Sequence, residues 1–348
     1  MKAARVVFPA AKKIVIEEYE TGSPGPGQVL LKTEKTLIST GTELTGLSGE
    51  FPEQSNWAKY VQYPWVPGYS YVGTVLEVGH GVQGLQPGER VVGAAPHASA
   101  VVVEAGAIMP LPAAVGAEEG TFARLAATVL NGVRRAKIEV GECVVIVGAG
   151  LLGQMAAQFG RLSGAFPLVM VDLAEGRLAL AKTLGVHETL RVSVDKARPE
   201  ILRLSKNRGI EAARLQRDGG ADCVFEVTGS AAVVAGAVGL ARREGRVILL
   251  GSSRGASTID FHDDTHGRGI FLIGAHASTT PRVETPQTPW TRHRNEELIL
   301  ELTQAGLLNV RDLITHRYAG TRAADAYAML LEDRTRALGV ILDWTNVT

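Results

Sequence analysis

The sequence predicts an α/β chain with a β-rich first lobe and a doubly wound parallel sheet after it. Three observations carry that prediction. Up to about residue 115, short β-like runs alternate with turn signals. From about residue 117 the apolar period lengthens, and strand-length runs alternate with helix-length ones. At one strand-to-helix junction the chain from Cys143 to Gly153 reads CVVIVGAGLLG.

The first lobe is read from VLLKTEKTLIS, YVGTVLEVG, ERVVGAAP and SAVVVEA, with breakers such as SPGPGQ and GHGVQGLQPG between them. This is an all-β pattern, partly barrel-like. AEEGTFARLAATVLNGVRRAKI then reads as helix. Strands over 144–147, 168–172, 222–227, 246–250 and 270–274 interleave with helices over 151–163, 175–184 and 230–241. Alternation of that kind requires parallel strands joined by crossovers. The segment 277–294 has three prolines and no clear period, so it reads as a loop. Helix 295–306, the strand-like DLITHRY, helix 321–333 and the strand ALGVILDW close the chain.

CVVIVGAGLLG sits in the context that a dinucleotide-binding fingerprint demands, with a strand before it and a helix after it. Gly148 makes the tight turn, and Gly150 has no side chain to block a pyrophosphate. Leu151 and Leu152 open the helix whose N–H groups face the anion, and Gly153 lets helix and strand pack closely. Nineteen positions after Gly153, Asp172 ends the apolar run PLVMVD. Its carboxylate would accept from the ribose hydroxyls and repel a 2′-phosphate, which favours NAD over NADP.

The chain has 348 residues, 45% of them hydrophobic, and 36 basic against 36 acidic side chains. That length suggests two domains, and the charge balance gives no sign of a nucleic-acid or membrane-surface partner. The N-terminal residues lack a signal-like apolar core and no apolar run approaches a membrane span, so a cytoplasmic protein is expected. Cys143 and Cys223 both lie in apolar strand-like runs and read as buried reduced thiols.

In its order of motifs (PGPGQVLLK, STGTE, PWVPGY, VGTVLEVG, PGERV, the glycine fingerprint, LITHRY and RALGVILDW) the whole chain resembles the medium-chain dehydrogenase/reductase superfamily of zinc alcohol dehydrogenase type. The STGTE and PGY variants are similar to a subgroup with bacteriochlorophyllide dehydrogenase and threonine- or sugar-dehydrogenase-like members. The resemblance implies a GroES-like catalytic domain over 1–118 and 284–348, with a Rossmann domain over 119–283 inserted and cofactor and substrate meeting in the cleft. It also implies a homodimer, with FLIGAH as the candidate pairing edge.

Where zinc-dependent members carry their ligands, this sequence has Thr40 in TGTE, Tyr69 in PGYS and, by alignment, Arg124 in FARLA. Zinc wants thiolate, imidazole or carboxylate donors. The family's structural zinc lobe is missing as well, so no metal is expected. His97 with Glu104, and His262–Asp263–Asp264 with His266, are the only local clusters that could form a metal site, and a solvated loop is the plainer reading of the second.

Without a metal, hydrogen-bond donors and a proton acceptor must handle the reacting oxygen. Tyr69 stands at the histidine position, Arg124 is the cation expected to lower its pKa, and Thr42 matches the family hydroxyl that relays the proton. Glu43 would orient Thr42 or Arg124. The opposite reading makes Tyr69 a filler and Glu43–Arg124 a structural pair. Thr128, Thr228, Gly229, Leu250 and Gly251 are expected to border the cofactor. Thr40, His266, His276 and Trp290 are candidates for substrate contact, with the loop around Trp290 the place to look for specificity.

The function expected is NAD-dependent hydride transfer to or from a polar secondary alcohol such as a sugar, cyclitol or natural-product intermediate. The alternatives are a redox-neutral lyase or epimerase that keeps NAD bound, and a retired nucleotide-binding protein.

Overall fold

The computed structural model describes residues 1–206 and 219–347. Strands β1 (Lys2–Val7) and β2 (Val15–Glu20) form an antiparallel pair. After β3 (Gln28–Leu37) come helices α1 (Thr40–Ser48) and α2 (Asn56–Tyr60), then β4 (Tyr71–Val78), β5 (Arg90–Gly93), β6 (Ala100–Glu104) and β7 (Ile108–Pro110). The two helices interrupt a stretch whose sequence reads as wholly β-like. Helix α1 starts inside STGTE itself: Glu43 reaches back to the backbone N–H of the N-cap Ser39 at 2.9 Å, closing the first turn with an acidic side chain.

The expected long helix over 117–138 divides into α3 (Ala117–Gly120) and α4 (Ala123–Ala136). At Gly120, the last residue of α3, a Cβ would lie 2.8 Å from Leu111 and 2.9 Å from Val72, so the close packing there requires glycine.

Strands β8 (Val144–Val147), β9 (Leu168–Asp172), β10 (Glu188–Arg191), β11 (Ala221–Glu226), β12 (Ala241–Leu249) and β13 (Phe271–Gly274) form one parallel sheet in the order β10-β9-β8-β11-β12-β13. The crossovers include α5 (Leu151–Leu162), α6 (Glu175–Thr183), α7 (Val194–Lys206) and the helix Ala231–Leu240. Strand β10 has only a weak sequence signal, because it is a half-exposed edge (Glu188–Arg191) with no apolar alternation. Strand β8 is an uninterrupted apolar run and β9 is apolar up to its final Asp172, as a strand covered on both faces requires. Val145, Val147, Val169, Val171, Val224 and Val247 are all buried in a single core. Cys143 and Cys223 are buried thiols beside neighbouring strands β8 and β11, and burial pushes the Cys223 thiol up to about 12.

The chain ends with helix Arg292–Gln304, strand β14 (Ile314–Ala319), helix Ala323–Asp333 and strand β15 (Gly339–Asp343). The last two strands join the first lobe's sheet in the order β14-β15-β3-β4-β5-β7, with β6 also on β3. Trp344, Tyr327 and Phe8 fill its second core.

The chain divides into two compact units, residues 1–125 with 296–348, and residues 126–295. Residues 284–295, assigned from sequence to the first lobe, thus lie in the second unit. Arg134 donates to Asn295 and stacks on Trp290, which ties this segment to α4. Among the described residues no helix is long and apolar enough to cross a membrane.

Candidate functional site

The turn from β3 into α1 gathers hydroxyls. Tyr69 donates to Ser39 Oγ at 2.5 Å, and Thr42 Oγ1 lies 3.4 Å from the same phenol oxygen. Ser39 is the N-cap of α1 but makes no side-chain capping bond; its hydroxyl oxygen accepts from Tyr69. Ser39 is a site residue that the sequence reading missed. Its only signal was a serine just before TGTE. Thr40 and Thr42 are partly exposed on the same first turn.

Glu43 is fully buried and holds this turn from behind. One carboxylate oxygen accepts from Ser39 N at 2.9 Å, and the other accepts from His97 Nε2 at 3.0 Å and from the Tyr327 hydroxyl at 2.5 Å. His97, also fully buried, places Nδ1 2.7 Å from Thr36 Oγ1, which accepts from Trp344 Nε1 at 3.0 Å. These contacts correct two expectations. Glu43 orients the backbone of Ser39 rather than Thr42 or Arg124. His97 pairs with Glu43, not Glu104, which instead accepts from Gln28.

Arg124 also departs from its expected role. Its guanidinium donates to the buried Glu296 at 2.6 Å. The phenol of Tyr69 is raised above its ordinary 10.0, not lowered: burial is the main cause, the Glu43 carboxylate and Tyr60 push the same way, and the Ser39 and Thr42 hydroxyls oppose them. Tyr69 is thus a neutral hydrogen-bond donor through the working pH range.

This donor set does not fit a zinc ion. Thr40, Tyr69 and Arg124 offer no thiolate, imidazole or carboxylate, and both nitrogens of His97 are engaged in the network just described. Among the described residues no three His, Cys, Asp or Glu side chains gather as a metal site would need. The His262–His266 segment is a single exposed helical turn capped by Asp260 rather than a loop.

In the second unit, the turn between β8 and α5 has the shape of an anion cradle. Gly148 adopts φ +111°, and a Cβ there would lie 2.9 Å from Thr228. A Cβ on Gly153 would lie 1.9 Å from the Gly148 carbonyl oxygen, so only glycine lets α5 start this close to the strand. At Gly150, the N-cap of α5, nothing lies nearer to a built Cβ than Arg177 at 3.9 Å. That open space above a helix start followed by Leu151 and Leu152 is what a pyrophosphate requires. Asp172, at the end of β9, accepts from Ala149 N at 2.6 Å and Ala174 N at 2.8 Å, which fixes its carboxylate beside the same loop.

Beyond β11 and β12, Gly229 takes φ +71°, and a Cβ on Gly251 would lie 2.6 Å from Gly229 N. Leu250 is buried next to it and meets Gly132 of α4. The carboxylate of Glu226, fully buried at the end of β11, was not foreseen. It accepts from Thr228 N at 2.7 Å, from the Thr228 hydroxyl, and from Ser253 Oγ at 3.0 Å. An acidic residue inside the apolar run DCVFEVTG was the available signal. Glu226 pins Thr228 and Ser253, so the loops after β11 and β12 are fixed at the sheet's carboxyl edge. Thr128 lies partly exposed on α4, and His266 and His276 are exposed, the latter capping the turn Ala277–Thr279. The guanidinium groups of Arg134 and Arg294 both lie over the Trp290 ring, with Cζ 3.5 Å and 5.8 Å from its centroid.

Residues 25–133 match the alcohol dehydrogenase GroES-like domain, and residues 152–288 match the zinc-binding dehydrogenase domain. The chain is 24% identical to an L-threonine 3-dehydrogenase of Pyrococcus horikoshii, over 91% of this chain and 92% of that one. It is 23% identical to a D-guloside 3-dehydrogenase of Escherichia coli, over 94% and 96%. Among solved structures, an oxidoreductase/dehydrogenase of unknown specificity from Escherichia coli superposes with a TM-score of 0.81 at 21% identity, over 99% of both chains. A dehydrogenase from Sinorhizobium meliloti bound to NADP gives 0.78 at 20% identity, also over 99% of both. With both domain types matched in chain order, the protein belongs to the medium-chain dehydrogenase/reductase superfamily, in its zinc-type alcohol dehydrogenase-like branch, and is an oxidoreductase of the dehydrogenase type.

Proposed function

We propose that this protein is a zinc-independent, NAD-dependent dehydrogenase of a polar secondary alcohol, a sugar or cyclitol type of substrate. The observation that carries the reading is the replacement of a ligand set by a hydroxyl cluster, with the neutral phenol of Tyr69 at its centre. The polar-alcohol class is supported by the dehydrogenases that the chain is similar to, which act on threonine and a guloside.

Bound nicotinamide supplies the acceptor or donor of the hydride. The protein's own residues handle the oxygen. As hydride leaves the carbinol carbon, negative charge builds on that oxygen, and a Tyr69 O–H turned towards it contributes on the order of 3 kcal/mol. The proton released from the substrate hydroxyl passes to Tyr69 as Tyr69 gives its own to Thr42, whose partly exposed hydroxyl hands one on to bulk water. Glu43 is a positioning residue, acting through Ser39.

To test the reading, the purified protein is dialysed against a strong chelator and given NAD with a panel of polyols and cyclitols. The expected result is growth of the NADH absorbance band at the rate of the untreated protein. Loss of activity on chelation and its return with zinc would overturn metal independence. Substrate turnover with no NADH appearing would assign the redox-neutral alternative instead.

The choice of NAD rests on the negative charge of Asp172 beside the glycine loop. Asp172→Asn keeps an acceptor for Ala149 N but removes the charge. The ratio of NADP to NAD affinity is expected to rise about tenfold or more, equivalent to ~1.4 kcal/mol, measured by fluorescence titration of the reduced cofactors. An unchanged ratio would discard the charge argument. We also infer a homodimer paired along β13, an edge strand whose Phe271 and Leu272 are exposed.

A further inference from the structure

The second unit holds a guanidinium prepared for an anion that no protein carboxylate supplies. Arg134, in the last turn of α4, stacks over the Trp290 ring with Cζ 3.5 Å from its centroid. Its Nε donates to Asn295 Oδ1 at 3.0 Å. Stacking fixes the plane of the group and the Nε bond fixes its rotation, so the two terminal nitrogens have a set direction. Among the described residues neither Nη atom has a hydrogen-bond partner, and no salt bridge reaches this arginine.

Two further observations point the same way. Asn295 is fully buried, and its Nδ2 has no acceptor. Arg294 lies against the same indole, with Cζ 5.8 Å from its centroid. Trp290 therefore has two guanidinium groups within reach of its ring. A guanidinium left half-buried without a counter-charge is costly. Burial, with no carboxylate acting on it, pushes Arg134 down to about 10, and it stays a cation at neutral pH.

The position in the fold gives the site a use. Two residues before Arg134, a Cβ on Gly132 would lie 2.9 Å from Leu250 and 3.5 Å from Ala275, the residues that follow β12 and β13. One turn earlier, Asn131 donates to Thr279 Oγ1 at 3.0 Å. Arg134 is therefore held near the carboxyl edge of β12 and β13, on the opposite side of the sheet order from β9 and its Asp172. Ligands of doubly wound sheets collect along that edge. The geometry points to a binding site for an anionic group, a phosphate or carboxylate on a small molecule, received by the paired Nη atoms of Arg134 with Trp290 as its wall. The site lies wholly within residues 126–295 and does not rest on the hydride chemistry proposed above.

The test uses the full chain loaded with NAD and titrated at constant ionic strength with inorganic phosphate, with acetate and chloride as separate arms. The readout is tryptophan fluorescence, and Trp290→Phe identifies the part of the signal that belongs to Trp290. A saturable phosphate response is expected. It should weaken about tenfold or more in Arg134→Gln and less in Arg134→Lys, which keeps the charge but loses the paired donors. Arg135→Gln, an exposed neighbour, should leave it unchanged. A saturable response to acetate alone would assign the carboxylate form. A response that follows chloride equally, or that survives Arg134→Gln in protein still binding NAD, would overturn the site and leave Arg134 as a staple for the Trp290 loop.

Discussion

Tyr69→Phe is expected to slow hydride transfer about a hundredfold while leaving NAD affinity unchanged. The ring that packs beside α1 is retained, and only the hydroxyl that meets Ser39 and Thr42 is lost. NAD affinity depends on the glycine turn, which lies in the other unit, so a binding titration separates the two effects. Single-turnover measurement of NADH formation reads the chemical step. The pH profile provides a second check. Burial and the neighbouring Glu43 and Tyr60 raise this phenol above 10.0, so the protonated donor persists as pH climbs through 8 and 9. No loss of rate traceable to Tyr69 should appear below pH 10. A basic limb near pH 8 that vanishes in Tyr69→Phe would show a phenolate base and reverse the assignment. An unchanged rate in the variant would reduce Tyr69 to a space-filler.

The glycine turn of the second unit was legible because its demands are local. Gly148, Gly150, Gly153 and Asp172 stand within one strand-turn-helix-strand segment; the close approach of their neighbours requires Gly148 and Gly153, and Asp172 accepts from the turn's own backbone. The inner strands β8 and β9 were legible for a similar reason, since a strand covered on both faces is an apolar run up to its end. The hydroxyl site was only half legible. Residue types at Thr42 and Tyr69 carried the clue, but the partners of Glu43 come from positions 39, 97 and 327, and no spacing rule connects them. Arg124 misled for the same reason. A cation in the right helix attracted a role near Tyr69, whereas its partner Glu296 lies 172 positions away. Helix α1 was hidden because its start is set by Glu43 capping Ser39, which a run of small polar residues does not advertise.

Glu43→Leu is expected to cost about 3 kcal/mol or more of stability in the unit containing residues 1–125. The carboxylate accepts from three donors in a place fully closed to water: Ser39 N, His97 Nε2 and the Tyr327 hydroxyl. Leucine matches the volume but accepts nothing, so three buried donors lose their acceptor together. Scanning calorimetry should show the unfolding transition of that unit lowered by roughly 6–12 °C, with the transition of the nucleotide-binding unit moved far less. Glu43→Gln distinguishes a lost hydrogen-bond hub from a lost charge. Its amide oxygen can still accept from Ser39 N, while its NH₂ can donate to a His97 that has moved its own proton to Nδ1, on the Thr36 side. Most of the stability should therefore return, and because Ser39 stays in place, so should most of the rate. If Glu43→Gln restores stability but not turnover, the negative charge itself acts on the hydroxyl cluster. If Glu43→Leu unfolds no earlier than the parent, Glu43 does not hold the turn that carries Ser39 and Thr42.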